Sequence, residues 1–372
     1  MKIIIGGDLV PTHNNLDLFK SKNFINELDP SFVNIWKAAD YRLFNLECPL
    51  GDKNMLTPQI KSGPNLIAPT ECINGIASLK PDLVCLANNH ILDYQYDGLK
   101  STISELKKNK IEYTGIIDNI NSEMKIRYFI KDNVKVGVYN LCETEFSNAT
   151  YNYPGANPYD EIKTFNIIHN IKKNCDFLIV IYHGGKEFYR FPSPILKKRC
   201  EGFVEAGADF VTCQHSHCIG CEEKYNDGII LYGQGNFIFN GKNDEYWNNG
   251  LLVELDINID KFIVNYIVLE QKDNIFKISD DKEILKKFFD RSLKIVDNDF
   301  ILKQYEEFSD SLIESYLNGI SYHSKLDKIY RKIFKKYPKR KYSRQEYLYL
   351  LNSLRCEAHR EVFIKGLERK IK

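Results

Sequence analysis

The sequence predicts an α/β fold followed by a helical C-terminal region. As far as Asp273, short β-branched runs alternate with amphipathic stretches, the pattern of strands interleaved with helices. After Asp273 only Gly319 and Gly366 remain of the glycines, and apolar residues fall at helical spacing: Ile284, Leu285, Phe288 and Phe289, then Leu348, Leu351 and Leu354. A third observation concerns how the apolar runs end. IIIGGD ends at Asp8, YRLFNLE at Glu47, DLVCLANNH at Asn89 and His90, DFLIVIYH at His183, and DFVTCQHSH at His215 and His217. Open α/β sheets bind ligands in the crevice outside the carboxyl ends of their strands. The endings therefore point to one site.

Each of those runs is expected as a strand, with helices between them. Gly98 to Asn109 follows the Asn-Asn-His turn, and Pro194 to Ala206 carries Ile195, Leu196, Cys200, Phe203 and Val204 near helical spacing. Later the order changes, because GIILYGQGNFIF, GLLVELDIN and KFIVNYIVLEQ read as consecutive strands with a tight turn near Asp260. Part of the sheet is then antiparallel, or there are two sheets. Residues 1–273 are expected as one domain and 274–372 as a basic helical region.

A chain of 372 residues with 43% apolar content can bury a large core. No apolar run approaches the roughly 20 residues that span a bilayer, and MKIIIGGDL reaches Gly-Gly-Asp before a signal-peptide core develops. Its cysteines, such as Cys85, Cys142 and Cys213, fall inside apolar runs, as reduced, buried thiols do. A cytoplasmic protein is expected. From Phe276 to Lys372 there are 23 Lys and Arg against 15 Asp and Glu, a net +8, and 28 against 35 before it, a net −7, so the two parts present different surfaces. The run KKYPKRKYSR, Lys335 to Arg344, reads as a solvated linker or as the face that meets an anionic or protein partner. No specific nucleic-acid partner is expected.

His215 and His217 lie two apart, so in an extended strand end both imidazoles face one side, and His183 precedes the flexible Gly184-Gly185. Imidazole is a frequent metal ligand. Glu47 and Asp8 end apolar strands, where a carboxylate must be solvated, paired or bound to a cation. Oxygen ligands beside imidazoles suit divalent Mn, Zn or Fe, as one ion or two sharing a carboxylate. Asn89 offers a neutral oxygen, His90 an acid or electrostatic stabiliser, and Asp93 a group to orient that ring. The other reading of these acids and asparagines is helix capping and salt bridging. Cys218 and Cys221 have the spacing of half a zinc knuckle, but no matching Cys/His pair lies at finger-like distance. Buried thiols are expected instead. A nucleotide-binding dehydrogenase is excluded because Gly6-Gly7-Asp8 does not extend to GxGxxG.

The ordered set GGDL, NLECPL, LANNHILDYQYDGL, HGGKEF, ADFVTCQHSH and YGQGNFIF resembles the CapA family of bacterial poly-γ-glutamate capsule biosynthesis proteins, in the calcineurin-like metallophosphoesterase superfamily. The resemblance covers roughly Met1 to Phe239. It implies a two-sheet αββα sandwich of metallophosphoesterase type holding two metals. By motif, Asp8 and His217 would hold one, Asn89, His183 and His215 the other, and Glu47 would bridge. His90 would be the acid or phosphate-stabilising histidine, Asn88 and Asn236 would line the substrate pocket, and the substrate would be an anionic polymer, peptide or phosphoester. The sequence departs from the pattern at Val10, where the superfamily has a histidine, at Gly184 for a tryptophan and at Ser216 for a proline. His13 is the nearest histidine to Val10. Two functions are consistent with this set: a metal-dependent hydrolase of a phosphoester or amide in capsule or polymer synthesis, and a metal-independent accessory, binding or peptide-modifying protein on the same fold.

Overall fold

The computed structural model describes residues 1–241, 243–259, 261–272, 275–320 and 342–355, with scattered positions beyond. The first sheet begins with parallel strands β1 (Lys2–Leu9), β2 (Tyr41–Leu46), β3 (Leu83–Cys85) and β4 (Tyr113–Thr114). After the short β5 (Ile116–Ile117), the chain enters a second sheet through the hairpin of β6 (Arg127–Lys131) and β7 (Val134–Cys142), and β8 (Gly155–Ala156) pairs back with β5. Strands β9 (Phe177–His183) and β10 (Phe210–Gln214) add in parallel, and the hairpin of β11 (Ile219–Tyr225) and β12 (Gly228–Gln234) completes the order β11-β12-β10-β9-β7-β6. Then β13 (Asn236–Ile238) returns to β1, and β14 (Asn249–Ile257), β15 (Phe262–Lys272) and β16 (Ile275–Ile278) extend the first sheet as an antiparallel meander.

Strand periodicity builds the layers. Alternate residues of a strand face opposite sides, so in β1 Ile3 and Ile5 enter the core between the sheets while Ile4 faces outward. Facing them from the second sheet are Val136, Val138, Ile179, Ile181 and Phe210. On the outer side of the first sheet lie α1 (Leu16–Lys20), α2 (Pro30–Ala38), α3 (Ile73–Ser78) and α4 (Gln95–Lys108), which bury Phe19, Phe32, Trp36, Ile76 and Leu99. The second sheet is covered by α5 (Thr164–Lys172) and α6 (Pro194–Glu205), through Ile168 and Phe203 against Leu178, Val180 and Tyr182. Helix α6 starts where Ser193 Oγ accepts the Leu196 N–H at 3.1 Å, with Pro194 in the first turn. Two sheets flanked by helices make the αββα sandwich that the resemblance implies.

Three sequence expectations change. GIILYGQGNFIF is two strands in two sheets, β12 and β13, because Gly235 at φ +74° turns the chain across the gap. The helix expected from Gly98 begins at Gln95, and the run DLVCLANNH keeps strand geometry only from Leu83 to Cys85.

The chain divides into two compact units, Met1–Tyr305 and Glu306–Lys372. The first continues past Asp273, because α7 (Lys282–Ser292) is fastened to β11: Ser292 Oγ accepts the Glu222 N–H at 2.8 Å and Arg291 Nε donates to the Gly220 carbonyl at 2.8 Å. Phe288 is fully buried beneath it. In its described residues the second unit holds the rest of α8 (Asn298–Ile320) and α9 (Arg344–Arg355). Asp260, Asp273 and residues 335–341 of the basic run lie outside the described residues. No helix among the described residues is long and apolar enough to cross a membrane.

Candidate metal centre

Asp8 stands at the end of β1, in register with Asn236 of β13 on one side and Asn45 of β2 on the other. Gly7 is required for that arrangement, since a Cβ there would lie 2.1 Å from the Gly235 carbonyl oxygen. Next to it, Glu47 follows β2 and its N–H donates to the Leu9 carbonyl at 3.0 Å. His183 is the last residue of β9.

His215 and His217 reach the same crevice by a route that differs from strand alternation. Strand β10 stops at Gln214, and both histidines have left-handed backbones, φ +90° and +52°. The turn is held because Asp8 accepts the His215 N–H at 3.1 Å and the Ser216 carbonyl accepts the Phe188 N–H at 2.8 Å. The two rings lie 6.1 Å apart.

The result is two overlapping groups. Ligand atoms of Glu47, His183 and His215 lie within 4.8 Å of one another, as do those of Asp8, Glu47 and His217, so Glu47 is common to both. All five residues are buried. Asn89 Oδ1 is 3.0 Å and Glu47 Oε1 3.2 Å from His183 Nε2.

Burial decides the electrostatics. It pushes Glu47 up to about 8, and together with the charge of Glu47 it pushes Asp8 up to about 7. It also pushes His183 down to about 4 and His215 well below the ordinary imidazole value. Without a counter-ion the cluster favours neutral acids and neutral imidazoles, whereas a bound cation reverses the preference for the acids. Both Glu47 oxygens and His215 Nδ1 are buried without a hydrogen-bond partner among the described residues. Unsatisfied buried polar groups cost about 1–3 kcal/mol each, and a divalent cation is a partner that satisfies all three. The residues present fit such an ion.

Beside the cluster, His90 Nδ1 lies 2.6 Å from Asp93 Oδ2. The other Asp93 oxygen pairs with Lys61, whose side chain is 2% exposed. Lys61, Asn89, His90 and His217 border one cavity of about 350 Å³, walled also by Phe146, Phe188, Phe239 and Trp247.

The sequence model of the family described as bacterial capsule synthesis protein PGA_cap matches residues 2–241, more than half of the chain. The chain belongs to this family. Two curated relatives are the capsule biosynthesis protein CapA of Bacillus anthracis, 31% identical over 57% of this chain and 52% of the relative, and the PGA biosynthesis protein CapA of Bacillus subtilis (strain 168), 28% identical over 57% and 56%. The chain thus spans about half the length of the curated relatives it matches. Among solved structures, a 5'-nucleotidase precursor from Thermus thermophilus is similar at 11% identity and a TM-score of 0.41, covering 84% of this chain and 60% of that one.

Within the PGA_cap region, two residues expected to meet substrate are engaged by the protein itself. Asn88 is fully buried, donates to Asn45 Oδ1 and the Leu46 carbonyl, and accepts the His90 N–H. Asn236, also fully buried, faces His217 Nδ1 at 2.9 Å and donates to the Trp247 carbonyl. They shape the site instead of lining it. Val10 is 3% exposed in the apolar core, and His13 is exposed on a turn and belongs to neither ligand group. Cys218 and Cys221 are buried free thiols that belong to neither ligand group, and burial pushes Cys218 up to about 11.

Three residues of the site escaped sequence reasoning. Asn45 Nδ2 donates to Asp8 Oδ1 at 2.8 Å and lies 3.3 Å from His183 Nδ1, bracing two candidate ligands. Lys61 comes from an aperiodic loop and carries no sequence signal. Glu143 follows β7 and had the same signal as the others, an apolar run, VKVGVYNLC, ending in a carboxylate.

Proposed function

We propose that the protein is a metal-dependent hydrolase in the synthesis of a capsule or related polymer of the poly-γ-glutamate type, acting on a phosphoester or amide bond. One observation carries this reading: Glu47 is fully buried, neither of its oxygens has a hydrogen-bond partner among the described residues, and it lies between the imidazoles of His183 and His215 and the pair Asp8 and His217. Glu47, Asn89, His183 and His215 would hold one divalent ion, and Asp8, Glu47 and His217 a second. Mn, Zn or Fe in these positions supplies Lewis acidity and lowers the pKa of water toward neutrality.

The chain's own residues prepare the rest. Asp93 fixes His90 through Nδ1, leaving Nε2 to give a proton to the departing oxygen or nitrogen. Asn45 braces Asp8 and His183 from behind, as partners one layer out commonly do for metal ligands. Phe146, Phe188, Phe239 and Trp247 give the cavity beside His90 an aromatic wall. Membership of the capsule family supports the polymer setting.

The test is turnover by the manganese-loaded protein of bis(p-nitrophenyl) phosphate and of γ-glutamyl p-nitroanilide. Hydrolysis of one of them, lost in a folded His215→Ala protein, is the expected result. Hydrolysis of neither by fully loaded protein contradicts it.

A second reading, a metal-independent accessory or binding component, is favoured by Val10, which leaves the group of Asp8, Glu47 and His217 one ligand short of the superfamily pattern. Tight binding of an acidic polymer by metal-free protein, with no turnover under any metal, would support it.

A further inference from the structure

Glu143 is the residue after β7, at the same level as the strand ends that deliver the candidate ligands. Its Oε2 accepts the Gly185 N–H at 3.3 Å, which ties it to the turn that follows His183. Its Oε1 lies 3.8 Å from Nε2 of His215. The opposite nitrogen of that ring, Nδ1, lies 4.0 Å from Glu47 Oε1 and is buried with no hydrogen-bond partner among the described residues.

We propose that Glu143 is the positioning residue of His215: it takes the Nε2–H side of the imidazole and so turns the Nδ1 lone pair toward Glu47 for a metal ion. The proposal rests on the metal-centre reading above. Neutral imidazole carries one proton, so the group that accepts it decides which nitrogen is left to bind a metal. Carboxylates in this role are common partners of metal-bound histidines, fixing tautomer and ring orientation. The backbone of His215 adds a reason to need such a partner. At φ +90° the residue sits outside the strand ladder, so its ring is not aimed by strand geometry.

Charge argues in the same direction. Glu143 adds a third acid beside Asp8 and Glu47, and the charges of Arg199 and Lys186 favour its ionised form. A carboxylate there meets the Nε2 edge of the ring from a partly solvated position. Opposite an imidazole N–H whose ring carries a cation on its other side, it is stabilising.

The test is calorimetric titration of the metal-stripped full chain with Mn and with Zn, for wild type, Glu143→Ala and Glu143→Gln. Both substitutions should weaken binding by about 10–100-fold. The glutamine keeps the shape and an acceptor for Gly185, so it carries the test if the alanine protein fails to fold. Histidine ¹⁵N spectra of the zinc-loaded wild type should show His215 protonated at Nε2. Wild-type affinity in Glu143→Gln, or a wild-type ring protonated at Nδ1, overturns the role of Glu143 alone. No metal uptake by the wild type overturns the metal-centre reading and this proposal with it.

Discussion

Asp93 faces His90 Nδ1 at 2.6 Å through one carboxylate oxygen and pairs with the Lys61 ammonium through the other, with Asp93 fully buried and the Lys61 side chain only 2% exposed. The same Asp93 accepts the Leu66 N–H at 2.5 Å and, through its backbone carbonyl, the Gln59 N–H at 2.8 Å. One acid thus fastens the Lys61 loop over the histidine. Breaking a buried ion pair from one side leaves a lone buried charge, at a cost of about 3–5 kcal/mol. Lys61→Met should lower stability by that amount, read by urea denaturation. A loss below about 1 kcal/mol, the range of exposed pairs, would show that Asp93 does not depend on Lys61.

Asp93→Asn keeps the shape but removes the charge that holds the His90 proton on Nδ1. General acid–base groups contribute about 10²–10⁴-fold, so turnover should fall within that range while metal content, set by other residues, stays at the wild-type value. Metal analysis beside a rate assay checks both. A parallel loss of metal would make Asp93 part of the ion's support instead.

The pH dependence of the metal-free protein follows from the buried acids. Glu47 is raised from 4.5 to about 8 and Asp8 from 3.8 to about 7. Groups raised on folding contribute stability that is present below their unfolded values and lost as pH rises through the folded ones. His183 is lowered from 6.5 to about 4, so its contribution is present above 6.5 and lost as pH falls toward 4. The two effects oppose each other at mildly acidic pH, and the acids act alone above it. Chelated protein should therefore melt at a lower temperature at pH 8.5 than at 6.5, and saturating Mn should remove that fall. An equal fall with and without Mn would sink this account of the cluster.

Gly7→Ala places a methyl 2.1 Å from the Gly235 carbonyl, a backbone atom that cannot rotate away. Overpacking of this kind typically costs about 1–3 kcal/mol, and here it also pushes β13 away from Asp8. Chemical denaturation should show the loss, with weaker metal binding beside it. A fully stable variant with wild-type metal affinity would mean that β1 and β13 can separate without harm.

Much of this was legible in the sequence because each ligand ends an apolar run, and parallel strands bring their carboxyl ends to one side. The same rule marks Glu143 after VKVGVYNLC. What stayed hidden has local causes. GIILYGQGNFIF is broken only by Gly-Gln-Gly-Asn, Gly233 to Asn236, and a break that short does not show that Gly235 carries the chain from one sheet to the other. His215-Ser-His217 alternates as a strand would, yet its positive φ angles come from hydrogen bonds made by residues far away in sequence. Asn88 and Asn236 have the chemistry of substrate ligands, and only their partners reveal that it is used internally. Lys61 lies in LTPQIKSGPNL, which has no periodicity from which its burial could be read.

Everything above turns on whether Glu47, His183 and His215 hold a divalent ion. Crystals of the manganese-loaded protein, measured at the metal absorption edge, answer this. An anomalous peak bounded by Glu47, His183, His215 and Asn89 is expected, with a weaker or missing second peak toward Asp8 and His217, and loss of the first peak in His215→Ala. Fully ordered side chains in that crevice with no anomalous signal would contradict it.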